Sequence, residues 1–408
     1  MHTYKKVLYC FVFLLSFFLF LTTGYLRAEE PGLYLDLEMI PRAVRLQIKT
    51  GELTHDDLIF RAGLYAEGHL HEPDKLKVQP DPLTVSYREN DQEFTAGFFR
   101  PAWGTAEFNS IMLSGTPPAL PGLAYRTSFL DYFAYERFGV RFPEGRGDFF
   151  GHRLVVEPRP GIQVGLKETV IYSARFTGYW LNFVPGWPFY LMKYIPAPST
   201  RTHNMNIGLD FRVSLIEDMV FYGDFHVTEW PFVPESGQPR VFGLQLGYVR
   251  DHFLREDLTL VAEYKQLRNY LYSARSPDQY YEHAGYSLGS TLGPDAQQLK
   301  VRLEYPLQEN LTVGGALHWI RKGEGRIGDY WDEPGEDGVD SVAEARENMF
   351  MTGVIEHRLA PRAEVSYQLS PELKFSLALE AAFTQNHEHR PQERGTYTWG
   401  HLKLGYEF

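Results

Sequence analysis

The residues with chemical potential fall into a few short clusters. Ser287 lies four positions after His283 in the stretch HAGYS, the two residue types a nucleophile and its base would need. No G-x-S-x-G elbow accompanies them, and a serine beside a tyrosine in a strand or loop is most simply a serine, so no catalytic residue is assigned and no enzyme activity is expected. His69 and His71 alternate along one strand face, and His387, Glu388 and His389 sit together near the C-terminus. A metal centre wants three or four ligands converging from separate segments, and pairs of this kind are ordinary on wet loops. The acid-rich run DYWDEPGEDGVD, 329–340, could offer oxygens to calcium but departs from the EF-hand spacing. It reads as a solvated loop. No metal and no cofactor are expected.

A more informative cluster is aromatic. Residues 174–202 hold Phe176, Tyr179, Trp180, Phe183, Trp187, Phe189, Tyr190 and Tyr194, stiffened by Pro185, Pro188, Pro196 and Pro198. So much apolar ring area on a loop has to be covered, by a barrel mouth or by a ligand. Sugar rings present C–H faces that stack on Trp and Tyr, and hydroxyls that pair with Asp, Glu, Arg and His. The connection at about 272–296 supplies that mixture with Arg275, Tyr280, Tyr281, His283 and Asp295. The candidate polysaccharide contacts are therefore Trp180, Trp187, Tyr190, Arg275, Tyr280, Tyr281, His283 and Asp295; a plug role for the aromatic loop is compatible with this.

The elements that would position these loops are strands. In NIGLDFRVSL, 206–215, the residues Ile207, Leu209, Phe211, Val213 and Leu215 alternate with polar neighbours, the period of two that marks a strand. Residues 299–306 and 373–384 repeat it, and no stretch carries a comparable helical period. The class is all-β. Strand starts fall near 33, 43, 58, 82, 93, 107, 123, 149, 162, 203, 219, 241, 258, 297, 311, 347, 373 and 396, which makes eighteen, or sixteen without the first two. Short turns near 160, 217, 255, 309 and 371 alternate with long connections at about 174–202, 231–240, 272–296, 322–347 and 387–395. Sorting of short turns to one end and long loops to the other is the habit of transmembrane antiparallel β-barrels, in which a closed sheet satisfies every backbone polar group within lipid. The even count places both termini on the periplasmic side. Trp230, Tyr248, Tyr264, Trp319 and Trp399 are candidates for the interfacial aromatic girdles.

Composition agrees. Of 408 residues 40 are Lys or Arg and 52 are Asp or Glu, a net charge of −12, so no nucleic acid is expected as a partner. At the N-terminus Lys5 and Lys6 precede the apolar stretch VLYCFVFLLSFFLFLTT, with Ala28 before Glu29. That is the layout of a cleavable signal peptide over 1–28, leaving 29–408 as the barrel. Cleavage would also remove Cys10, the one cysteine. The chain ends in TYTWGHLKLGYEF, alternating up to a terminal Phe408, which resembles the signal by which barrel-insertion machinery recognises outer-membrane barrels.

Several segments resemble the capsule assembly Wzi family of outer-membrane proteins. They are Trp103–Gly104, SIMLSGTPPALPGLAYRTS at 110–128, FGHRLVVEPRPGIQVGLKETVIYS at 150–173, then 204–222, 261–272 and YEHAGYSLGSTLGPDA at 281–296. Their order is preserved over about 93–331. The resemblance implies an 18-stranded barrel in the outer membrane that acts as a surface lectin, with capsular or other surface polysaccharide as partner besides membrane lipid. Members of that family can carry a helical bundle before the barrel. Here strand-like sequence begins near Leu33, so that bundle is not expected, and the aromatic loop is a candidate to replace it as a plug. Two other readings stay open: a porin-like channel for small solutes, and an outer-membrane hydrolase, which lacks a recognisable nucleophile and base.

Overall fold

The computed structural model describes residues 27–28, 32–40, 43–69, 72–173, 203–229, 240–274, 276–329 and 349–407. Among them eighteen antiparallel strands form one closed wall. In chain order they are β1 (Gly32–Ile40), β2 (Ala43–Thr50), β3 (Leu58–His69), β4 (Glu72–Glu89), β5 (Gln92–Phe99), β6 (Leu120–Phe129), β7 (Phe133–Arg141), β8 (Gly147–Arg159) and β9 (Ile162–Ser173). The second half comprises β10 (His203–Ile216), β11 (Met219–Glu229), β12 (Val241–Arg250), β13 (Thr259–Leu267), β14 (Ala296–Gln308), β15 (Leu311–Lys322), β16 (Glu356–Gln368), β17 (Leu373–Gln385) and β18 (Arg394–Glu407). Each strand pairs with the next, and β18 returns to β1 in a register running from Gly32 opposite Glu407 to Met39 opposite Gly400. Closure leaves no free sheet edge, the requirement for strands that span lipid.

Alternation decides the two faces. Leu166, Leu209, Phe221, Leu246, Leu303, Leu317, Leu359, Leu377 and Phe383 point outward and are exposed. Their neighbours Lys167, Asp210, Asp224, Gln245, Glu263 and Lys265 point inward and are buried. In water this arrangement would be inside out; in a membrane the apolar belt meets hydrocarbon. Ring pairs at the short-turn end, Phe129 on Phe133 at 5.3 Å and Phe221 with Tyr248 at 5.0 Å, supply part of an interfacial girdle. Trp319 is outward and partly exposed, as expected. Trp399 is not a girdle residue: it pairs with Glu380, which is buried on the inner face.

Four expectations about the wall need correction. First, there is no wall strand near 107. Residues 100–119 leave the wall after β5 and enter the lumen. The count stays at eighteen because the segment from 120 to 141 folds into two strands, β6 and β7. The turn between them hides in sequence: Leu130 and Asp131 take left-handed φ of 55° and 59° with no glycine to announce it. Second, β4 begins at Glu72, ten residues before the expected start. Pro73, Pro80 and Pro82 read as strand breakers, yet register shifts opposite Ala62–Leu64 and Glu67–His69 absorb them. Third, β16 begins at Glu356 rather than near 347. Fourth, loop sorting is less strict than alternation suggested, since the turns at 40–43, 69–72 and 142–146 lie at the same end as the long connections.

Candidate functional site

The lumen is the candidate site, and two connections from the long-loop end fill it. The first is 100–119. Arg100 anchors its start, with Nε 2.8 Å from Asp81 Oδ1. Thr105 Oγ1 then donates to the Phe211 carbonyl of β10 at 2.9 Å. The Asn109 carbonyl accepts from Lys265 Nζ at 2.7 Å and from Gln245 Nε2 at 3.2 Å. Ile111, Met112 and Leu113 are 0, 0 and 1 % exposed at the centre. The second connection is 268–295. Tyr272 donates its hydroxyl to the Ile111 carbonyl, and Ser114 N–H donates to the Leu288 carbonyl at 2.9 Å. Gly289 is required at this crossing, because a Cβ there would stand 2.4 Å from the Ile111 carbonyl oxygen. The two connections and the inner wall share one apolar cluster, including Ile111, Leu113, Phe149, Leu271, Tyr272 and Tyr281.

Below that cluster the inner wall is ionic. Lys167 Nζ lies 2.8 Å from Asp224 Oδ1 and 3.3 Å from Asp210 Oδ2, and all three residues are buried. Arg153 grips Asp210 with two donors and approaches Glu136 at 3.6 Å; Glu136 approaches Arg126 at 3.7 Å. Ser110 of the first connection donates to the other oxygen of Asp224. A ladder of charges therefore runs from Arg126, near the short-turn mouth, to the underside of the plug. Pairing on both sides is what makes buried charges tolerable. Between the plug and that mouth lies a polar chamber of about 350 Å³, lined by Glu107, Arg126, Glu136, Arg153, Gln163 and Arg212.

The eight residues singled out in sequence separate into three groups. Trp180, Trp187, Tyr190 and Arg275 lie outside the described residues. Tyr281 and Asp295 are interior. Tyr281 is fully buried, stacked on Tyr272 at 5.8 Å and edge-on to Phe149 at 5.6 Å, with its hydroxyl 3.1 Å from Thr169 Oγ1. It is part of the plug, with no ring face left for a sugar. Asp295 accepts from the backbone N–H groups of Met351, Thr352 and Gly325 and from the Thr352 hydroxyl. It ties both ends of the β15–β16 connection to its own, and both its oxygens are engaged. Tyr280 and His283 sit nearer the surface. Tyr280 is half-buried, with its ring against Gly328. His283 is mostly covered, 5.9 Å from the Phe142 ring. Burial pushes its pKa down to about 4, helped by the positive charges of Arg146 and Lys77.

Arg146, in the turn between β7 and β8, holds this loop. It donates to the carbonyls of Asp278, Tyr280 and Glu282, and its guanidinium lies 4.4 Å from the centre of the Phe142 ring. Ser287 Oγ is engaged by Gly289 N–H at 3.2 Å. His387 packs on Tyr397 and faces Glu356 at 3.4 Å, and His389 Nδ1 meets the Val354 carbonyl at 2.7 Å. Asp329 accepts from Arg326 N–H, and 330–340 lie outside the described residues, as do the side chains of His69 and His71.

Sequence reading missed the plug segment 100–119, the Lys167–Asp210–Asp224 core and Arg146. The first left one trace: the contiguous Ile111-Met112-Leu113 breaks the alternation expected of a wall strand.

A closed wall with an outward apolar belt and a filled, ion-paired lumen defines a transmembrane β-barrel of the outer-membrane type with an internal plug. Solved structures of that class superpose on it. Wzi of Escherichia coli, an outer-membrane, carbohydrate-binding β-barrel involved in group 1 capsule assembly, matches with a TM-score of 0.65 at 12 % identity, covering 93 % of this chain and 85 % of that one. OccD3 (OpdP) of Pseudomonas aeruginosa matches with a TM-score of 0.50 at 13 % identity, over 95 % of this chain and 93 % of that one. Neither a family model nor a curated protein sequence matches the chain. At these identities the likeness is one of fold.

Proposed function

We propose that this barrel is a non-enzymatic protein of the outer membrane that binds capsular or other surface polysaccharide and helps retain or assemble the capsule, as the sequence resemblance to the Wzi family implies. The observation that carries the reading is the plug. Ile111, Met112, Leu113, Tyr272 and Tyr281 pack across the lumen with almost no exposure, so the barrel is built as a platform for loops rather than as a wide pore. Loops held this firmly suit binding, because little ordering entropy remains to be lost. In this reading residues 1–28 are removed on export, the barrel-insertion machinery places the chain with both termini periplasmic, and the long-loop end faces outward. The glycan contacts are Trp180, Trp187 and Tyr190 of the aromatic loop, with Arg275, Tyr280 and His283 of the connection after β13.

The test is titration calorimetry of the refolded barrel with polysaccharide from its own host, against an unrelated polysaccharide. Saturable, selective binding is expected. No binding by a folded barrel would overturn the reading.

The polar chamber below the plug favours a second reading, a gated channel for small solutes. It expects steady conductance in a planar bilayer, and a silent bilayer containing inserted barrel counts against it.

A further inference from the structure

The plug does not meet the wall evenly. On β9 to β13 the inward Lys167, Asp210, Asp224, Gln245 and Glu263 are sealed beneath it. On β16 and β18 the inward side chains grow more exposed toward the short-turn mouth, from Arg362 at 24 % to Glu364 at 36 % and Lys403 at 56 %. Toward the long-loop end the same strip is shut, since Glu356, Ala360, Ala382 and Thr384 are buried. This side of the lumen is therefore a recess that opens at the short-turn mouth and stops below the loops.

A row of inward residues stands level across its inner end: Arg302, Ala316, Arg362, Glu380 and Trp399, one on each strand from β14 to β18. Trp399 is partly exposed, and among the described residues its ring packs on no other ring and its indole N–H has no acceptor. A covered tryptophan ordinarily has its N–H satisfied. Its neighbours on the same face are occupied, Tyr397 by His387 and His401 by Asp36. Arg362 lies two strands away, roughly 10 Å at the usual strand spacing. It makes one hydrogen bond, to Glu364 at 3.0 Å, and approaches Glu380 at 3.8 Å, which leaves most of its donors unused. Glu380, between the two, also faces His318 at 3.5 Å, and Arg302 lies 3.4 Å from Glu304. Lys300, opposite His318, has its Nζ 3.7 Å from the centre of the Phe108 ring and no carboxylate within ion-pair reach among the described residues. The row thus carries a cation that its own acids do not pair.

An open indole face, a guanidinium with free donors and a carboxylate between them match one chemistry. A pyranose ring lays its C–H face on Trp399, a carboxylate on that ring meets the planar donors of Arg362, and a hydroxyl donates to Glu380. An acidic peptide would engage Arg362 and leave the indole uncovered.

We propose that this recess is a second glycan site, which takes a uronate unit of an acidic oligosaccharide through the short-turn mouth, with its ring on Trp399 and its carboxylate on Arg362. The site is separate from the loops, and it rests on the reading above only for which side of the membrane that mouth faces.

The experiment is titration calorimetry of the full barrel with a tetrasaccharide of β-1,4-linked glucuronate, against neutral cellotetraose and a tetraglutamate peptide. Folding of each variant is checked by heat-modifiable gel mobility. The uronate is expected to bind saturably, about tenfold or more tighter than either control. Trp399→Leu should weaken it by about tenfold, and Arg362→Gln should lower it to the cellotetraose level. Trp180→Ala with Trp187→Ala should leave it unchanged, so a failure of the loop site and a failure of this one are told apart. If Trp399→Leu does not fold, the barrel labelled with 5-fluorotryptophan decides: the Trp399 fluorine resonance, assigned with Trp399→Phe, should shift on adding the uronate. Lys403→Cys in a Cys10→Ser background, capped with a polymeric maleimide, should block binding. Equal binding of uronate and cellotetraose, tighter binding of the peptide, unchanged affinity in Trp399→Leu, a Trp399 resonance that stays still, or binding that survives the cap would each overturn the proposal.

Discussion

Lys167 on β9 and Asp224 on β11 meet at 2.8 Å in the middle of the lumen, and neither is reached by solvent. Asp224 also accepts from Ser110, so the pair fastens the plug to the wall. Lys167→Met strips Asp224 of its ion-pair partner, while Asp210 keeps Arg153. Removing one member of a buried pair costs about 3–5 kcal/mol. The variant should lose its heat-modifiable folded band at a lower temperature than wild type. Asp224→Ala should also release Ser110, and a folded Asp224→Ala barrel is expected to conduct intermittently in a planar bilayer. Wild-type melting and a silent bilayer in both would show that the ladder is not what holds the plug.

Asp295 makes a second, independent prediction. Its carboxylate satisfies three backbone N–H groups and one hydroxyl contributed by Gly325, Met351 and Thr352. Asp295→Ala orphans all four, at about 1–3 kcal/mol for each donor left buried. Amide exchange at Met351 and Thr352 should speed up by at least tenfold, equivalent to about 1.4 kcal/mol of local opening, with the wall strands unchanged. If Asp295 served a ligand instead, exchange would change only when glycan is present.

The loop around His283 should loosen in acid. Burial, with Arg146 and Lys77 adding positive charge, depresses the folded-state pKa from the ordinary 6.5 to about 4. Between those values the unfolded loop binds a proton that the folded loop refuses, so stability rises with pH across this window. The contribution is complete above about 6.5 and drains away as pH falls toward 4. Protease nicking within 276–295 should therefore increase from pH 7 to pH 4.5. His283→Gln should flatten the profile; an unchanged profile would assign the acid response elsewhere.

Glycan binding gives the fourth prediction. Trp180→Ala with Trp187→Ala should weaken polysaccharide affinity by tenfold or more, since each stacking ring contributes on the order of 1 kcal/mol or more. Tyr281→Phe should leave affinity unchanged, because that hydroxyl is bound to Thr169 inside the plug. The reverse pattern would move the binding site into the lumen.

Much of the wall was legible in the chain, because strand periodicity is a local property. The starts of β2, β3, β9 to β12, β15 and β17 fall where alternation puts them. Legibility failed where distant partners decide the outcome. The 107–113 stretch has strand-like composition, and distant partners such as the Tyr272 hydroxyl, Lys265, Gln245 and Asp224 make it a plug. Tyr281 and Asp295 carry the chemistry expected of a sugar site, but a residue type does not reveal whether its ring or carboxylate is already occupied. Arg146 showed nothing in sequence, since its three acceptors are backbone carbonyls that any residues would supply.

The seam of the barrel lies between β1 and β18, while the anchors that seat the plug come from strands within the arc β2 to β15. Tyr272 and Ile111, though 161 positions apart, meet on that one contiguous arc of wall. An open, curved sheet can thus carry its own stopper before the ends of the chain zip together. Assembly would then proceed as the shutting of a loaded vessel, and slow closure at β1–β18 would leave no stage at which an empty pore stands open across the membrane.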